Sequence, residues 1–228
     1  MNSGFLKRCD YFVFIYLLLA TLVAEAGSIP DDMVAIPAGV IKWSGKDISV
    51  SKFYMDKYET IQQSYKMITG KNPSYFKGST RPVEKINWFE ADKYCLRLRK
   101  RLPTEWEWER AAQLGNKSKF SIKIAESYGW FKGNSELMTH PVGQKKKNLY
   151  GLYDMTGNVW EWTSSDHESG GKVMRGGSWR NSANSMRPSK RITSLPHYRY
   201  HYVGFRCVVS IELKTKFRSV RTKYANRH

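Results

Sequence analysis

The stretch that most constrains this chain is Gly151-Leu-Tyr-Asp-Met-Thr-Gly-Asn-Val-Trp-Glu-Trp162, answered downstream by Val173-Met-Arg-Gly-Gly-Ser-Trp-Arg180. Trp160 and Trp162 stand at period two, so on a strand they share one face and Glu161 points to the other. Gly157-Asn158 supplies the positive φ angles of a tight turn. A hairpin with a buried tryptophan ladder satisfies this pattern by itself. The same residues also carry chemistry. Asn158, Glu161 and neighbouring backbone carbonyls such as that of Val159 make an all-oxygen cluster, which suits a hard cation. Asn158, Val159 and Glu161 are therefore the expected ligands of a structural calcium ion.

Three further motifs accompany this stretch: Arg101-Leu-Pro-Thr-Glu-Trp-Glu-Trp-Glu109, Arg175-Gly-Gly-Ser-Trp-Arg180 and Gly204-Phe205-Arg206. In that order, from about Met33 to Val209, the chain resembles the formylglycine-generating enzyme (sulfatase-modifying factor) family. The resemblance implies an elaborated C-type-lectin-like fold of the α+β class with little regular secondary structure. It also implies an activity. Oxidases of this family convert a sulfatase cysteine to formylglycine with O₂, through two cysteines that bind Cu(I). Soft thiolates select that ion. The two cysteines lie a few residues after the Gly-Gly-Ser motif, five positions apart, where this chain has Asn181 and Met186. The Met186 thioether could offer one soft ligand, but Asn181 cannot supply the second, so copper is not expected.

The expectation is an exported binding or accessory domain, with Trp179, Asn181, Asn184 and Arg187 as candidate binding residues. A solvated loop covering the core is the plainer reading of the Asn181–Arg187 segment. Two other functions stay open. One is a different chemistry, since relatives without the cysteine pair take part in thiohistidine and siderophore-chromophore biosynthesis. Iron-dependent examples take their ligands from an added helical domain that this sequence does not contain. The other is a formylglycine oxidase that works without the thiolates.

A length of 228 residues favours one domain. The net charge of +18 favours anionic partners such as phospholipid head groups, acidic polysaccharide or nucleic acid. The basic residues look scattered and no basic stripe interleaves with aromatics, so no nucleic acid is expected. Residues 1–26 read as a signal peptide. Lys7-Arg8 precedes an apolar run of about fourteen residues, Tyr11–Ala24, and Ala24-Glu25-Ala26 precedes the cut. An uncleaved leader acting as an anchor is the alternative. With the leader gone, no transmembrane span is expected, and the protein is periplasmic or secreted from a bacterial host. The domain runs over residues 27–210, followed by a basic tail at 211–228. Cys95 and Cys207 are then an even pair in an oxidising compartment. Two buried free thiols are the alternative, but the resemblance implies a disulfide, since family cysteines at both positions pair.

Met33–Gly39 and Val50–Tyr58 read as strands. Helices are expected to start at Thr60 (with Gln63, ending at Gly70), at Asn87 (with Glu90) and at Thr104 (with Glu107). On the second helix Phe89, Tyr94, Cys95 and Leu98 are expected to face the core. On the third, Glu105 and Glu109 read as first-turn acids that complement the helix dipole. Lys117–Ser127 reads as loop, and Asn116-Lys-Ser118 as a glycosylation sequon only in a eukaryotic host. His140 reads as a hydrogen-bonded structural residue, and the histidine spacing supports no zinc site.

Overall fold

The computed structural model describes residues 31–113 and 120–210, and its elements all lie in the compact unit that begins at Asp32. The leader, the sequon and the basic tail fall outside the described residues. Strands β1 (Met33–Ile36), β4 (Phe53–Asp56) and β9 (Val208–Ser210) form one antiparallel sheet in the order β1-β4-β9. Strands β2 (Gly39–Trp43) and β3 (Lys46–Val50) form a separate hairpin that the sequence reading missed. Its turn residues Ser44 and Gly45 both have positive φ, at 48° and 77°. The third sheet runs β7 (Arg191–Ser194), β6 (Lys172–Arg175), β5 (Trp160–Asp166), β8 (Val203–Gly204), with β5 and β8 parallel.

The described residues form four α-helices: α1 (Gln62–Thr69), α2 (Trp88–Arg97), α3 (Glu105–Ala111) and α4 (Ile122–Tyr128). Asn87 and Thr104 close full capping boxes with Glu90 and Glu107. Gly70 ends α1 in the left-handed conformation. Three expectations need correction. Helix α1 is capped by Ile61 without a side-chain bond; the buried Thr60 instead pairs its backbone with Phe205 and Val83. Phe89 and Leu98 are exposed rather than in the core. The segment read as loop before Ser127 contains α4, capped by Ser121.

Strand β5 is the wall between two hydrophobic cores. Trp160 and Trp162 lie in one core with Tyr65, Tyr94 and Phe205. Glu161 is equally buried, but its carboxylate meets Trp108, which belongs to the other core with Ile36, Phe53 and Met55. Period two thus sends alternate side chains into different interiors. Cys95 at the end of α2 and Cys207 before β9 form a disulfide inside the first core, across 112 residues of sequence. In the chain-entropy picture a link of that span stabilises by about 4–5 kcal/mol. Replacing Cys95 with Ser is expected to lower the melting temperature of the oxidised protein by an amount that matches wild type after reduction; an unchanged melting temperature would refute a stabilising disulfide.

Candidate functional site

Gly157 and Asn158 take φ values of 107° and 58°, so the turn read from sequence is present. Its backbone ties the long motifs together. Gly157 N–H donates to Gly176, Asn158 N–H to Trp130, and Trp179 N–H to the Asn158 carbonyl. A Cβ on Gly157 would sit 2.2 Å from the Trp130 carbonyl oxygen, so only glycine fits there.

Below the turn lies a buried charge cluster. Both oxygens of Glu161 accept from Arg206 at 2.8–3.0 Å, and Oε2 also accepts from the Trp108 indole at 2.9 Å. Asn158 Oδ1 accepts from His140 N–H at 2.9 Å, while its amide donates to Glu59 at 2.6 Å. Val159 N–H donates to the other oxygen of Glu59. Glu59, Asp154 and Glu161 are three buried carboxylates around one guanidinium. Burial pushes Glu59 well above its ordinary pKa, with Asp154 and Glu161 adding to the rise. Burial likewise pushes Asp154 up to about 6. Asp154 Oδ2 accepts from Gly143 N–H, but its Oδ1 is buried without a partner.

Of the expected calcium ligands Asn158, Val159 and Glu161, the side chains of Asn158 and Glu161 are hydrogen-bonded to His140, Glu59, Arg206 and Trp108. The free oxygen belongs to Asp154. Among the described residues, no three His, Cys, Asp or Glu side chains are grouped to hold a metal ion. His140 is hydrogen-bonded to the Ser135 carbonyl and stacked on Trp130 at 3.8 Å, as a structural residue. Glu105 and Glu109 are ion-paired to Arg191 and Arg175, beyond the helix-dipole role expected of them.

The segment after Gly176-Gly177 is divided between core and surface. Trp179 is buried, and its indole donates to the His201 carbonyl. Asn181 Oδ1 accepts from the Trp160 indole at 2.9 Å and from Ser178 Oγ at 2.6 Å. Met186 is fully buried against Ala125 and Phe131. Asn184 and Arg187 are exposed and hydrogen-bonded to each other at 3.1 Å. Asn184 lies within the short 3₁₀ turn Ala183–Met186 and Arg187 directly follows it, whereas Trp179 and Asn181 precede it.

Residues 20–211 match the family described as sulfatase-modifying factor enzyme 1-like domain. The chain belongs to the formylglycine-generating enzyme family. Chaperone protein LppX of Paenibacillus barcinonensis is 30% identical, over 75% of this chain and 89% of that protein. The inactive C-alpha-formylglycine-generating enzyme 2 of Mus musculus is 34% identical over 57% of this chain, which spans 49% of that protein. Among solved structures, Treponema denticola variable protein 1 superposes with a TM-score of 0.70 at 27% identity, covering 78% of this chain and 94% of that one. The expected α+β fold of the formylglycine-generating enzyme type is thus the fold of this protein.

Within this family member, Trp179 opens onto an aromatic surface that the sequence reading missed. Phe76 meets Trp179 edge-on at 5.2 Å, Tyr75 meets Phe76 at 4.9 Å, and His201 lies 5.5 Å from Trp179. The signal was legible: His197-Tyr-Arg-Tyr-His-Tyr202 places three tyrosines at period two with a basic residue among them. Glu84 anchors one end from beneath. Its Oε1 accepts from the N–H groups of Tyr75 and Phe76 at 2.5 and 2.8 Å, while Oε2 is buried without a partner. Burial pushes Glu84 up to about 7, against the pull of those two hydrogen bonds and of Lys77 and Lys85. The native state therefore holds a proton that the unfolded chain releases at lower pH. The stability this contributes is full below about pH 4.5 and lost as pH rises through 7. Replacing Glu84 with Gln is expected to flatten this slope: the melting temperature of the variant should rise relative to wild type between pH 5 and 8. A constant difference across that window would show that Glu84 does not titrate there.

Proposed function

We propose that this chain is an exported binding or accessory domain of the formylglycine-generating enzyme family that does not carry out copper-dependent oxidation. One observation carries the reading. The positions that match the copper-binding cysteines hold Asn181, committed to the Trp160 indole, and Met186, sealed in the core. Cys95 and Cys207 are consumed by their disulfide, leaving only Cys9 of the leader among the three cysteines of the sequence. No pair of thiolates can converge on Cu(I). The names of two relatives point the same way, one an inactive formylglycine-generating enzyme and the other a chaperone protein. The disulfide supports an oxidising compartment, periplasmic or extracellular. Among the described residues no helix is long and apolar enough to cross a membrane.

The purified protein, incubated with Cu(I), O₂ and a Cys-x-Pro-x-Arg sulfatase peptide, is expected to leave the peptide mass unchanged beside a working oxidase. Conversion of the cysteine to the aldehyde would overturn the accessory reading.

A structural calcium ion remains part of this proposal, with Asp154 Oδ1 supplying a carboxylate oxygen. The excess of carboxylates over guanidinium and the orphaned Asp154 Oδ1 support it. Backbone carbonyls would complete the oxygen shell. Calcium is then expected to raise the melting temperature of wild type and not of an Asp154→Asn variant. A melting temperature that is the same in calcium and in chelator for wild type would rule the ion out.

A further inference from the structure

The aromatic surface beside Trp179 continues well beyond it. From His201 it passes to Tyr202 at 5.4 Å, to Tyr200 at 5.0 Å and to Tyr198 at 6.0 Å, with Tyr200 and Tyr202 stacked at 25°. Taken with Tyr75 and Phe76, this is an unbroken ribbon of rings drawn from three separate segments of the chain. Its backbone is fixed. Tyr200 O accepts from Lys85 N–H, Tyr202 O from Trp160 N–H, and His201 O from the Trp179 indole. Its ends are open to solvent, with Tyr75 65% and Tyr198 47% exposed.

The unpaired charges beside the ribbon are cations. The Arg180 guanidinium stands 4.8 Å from the Tyr202 ring centroid and is exposed. Lys85 is exposed as well, and neither has a hydrogen-bonded anion among the described residues. Both act on His201, whose imidazole is held below its ordinary pKa first by burial and then by these two cations. The nearby carboxylates are neutralised or hidden: Glu90 is paired with Arg199, and Glu84 is buried under the ribbon.

The geometry points to a binding platform for an anionic polysaccharide, with the exposed tyrosine rings taking sugar faces and Arg180 and Lys85 taking its carboxylates or sulfates. This rests on the binding role proposed above and names its ligand class. Tyrosine hydroxyls keep the rim wet and able to hydrogen-bond, which suits a hydroxyl-rich polymer better than a lipid interior. Tyr75 and Tyr198, exposed at the two ends, offer a polymeric ligand two separate rings to stack on. An oxidising compartment, where the disulfide belongs, exposes the protein to polysaccharide rather than to nucleic acid.

The test is calorimetric titration of the full protein with alginate, a polyuronate. Polyacrylate serves as a ringless polyanion, dextran as a neutral sugar polymer, and phosphatidylserine vesicles and single-stranded oligonucleotide as the other anionic occupants. Alginate is expected to bind more tightly than any of these. A Tyr75→Ala/Tyr198→Ala variant and an Arg180→Ala/Lys85→Ala variant should each weaken it by about tenfold or more. A Lys46→Ala/Lys123→Ala variant, which removes the same charge from exposed positions elsewhere, should bind as wild type does. All of these side chains are exposed, and matching melting temperatures would show that the variants fold.

Absence of alginate binding, equal binding of polyacrylate, or equal loss in the Lys46/Lys123 variant would overturn the proposal. So would tighter binding of vesicles or oligonucleotide through the same tyrosines. None of these results would touch the accessory reading, which stands or falls on the peptide mass.

Discussion

The structure depends on the pairing of Glu161 with Arg206. Every polar atom of the pair is spoken for. Arg206 reaches the carbonyls of Asp56, Lys57 and Tyr153 as well as both oxygens of Glu161, and the Trp108 indole completes the carboxylate. Such a pair adds little net stability over an apolar replacement, but removing one partner leaves a buried charge alone and is costly. Its effect is on register. Glu161 stands between Trp160 and Trp162, so a slip of one residue along β5 would put a carboxylate into the first core and an indole against Arg206. The alternation read from the sequence is therefore enforced from both sides of the strand.

Features with short-range causes were legible in the sequence. The capping boxes at Asn87 and Thr104 need only residues three apart, and the turn at Gly157-Asn158 needs only two neighbours. Features set by distant residues were not. Thr60 carries a capping-box spacing, but its backbone is taken by Phe205 and Val83, so the helix starts one residue later. Phe89 looks like core on hydrophobicity; it packs edge-on against Trp88 and stays exposed. The surroundings of the expected calcium ligands were hidden for the same reason. Asn158 and Glu161 do offer oxygens, but partners at positions 59, 108, 140 and 206 claim them first. Positions 75–76, 179 and 197–202 are also far apart in sequence, so the aromatic ribbon shows only in part to a reader of the linear chain.

The two halves of the candidate site differ in how they are held. Under the ribbon, backbone groups are pinned to Lys85, to Trp160 of β5 and to the buried Glu84, while the Tyr75 and Tyr198 rings face water. Around Asn181 and Met186 the reverse holds: the side chains themselves are absorbed into the fold. The first arrangement suits recognition by a preorganised surface. The second holds Asn181 Oδ1 and the Met186 thioether in place as parts of the fold.

Met186 packs so closely on Gly177 that a Cβ added there would lie 2.7 Å from the methionine methyl. A Met186→Cys change would withdraw that side chain and open a void beside Phe131. An Asn181→Cys change would strand the Trp160 indole without its acceptor. Either step alone weakens the fold, and only both together could offer two thiolates to a metal. Packing around Gly177, Phe131 and the Trp160 indole therefore opposes the replacement of Asn181 and Met186 by a cysteine pair.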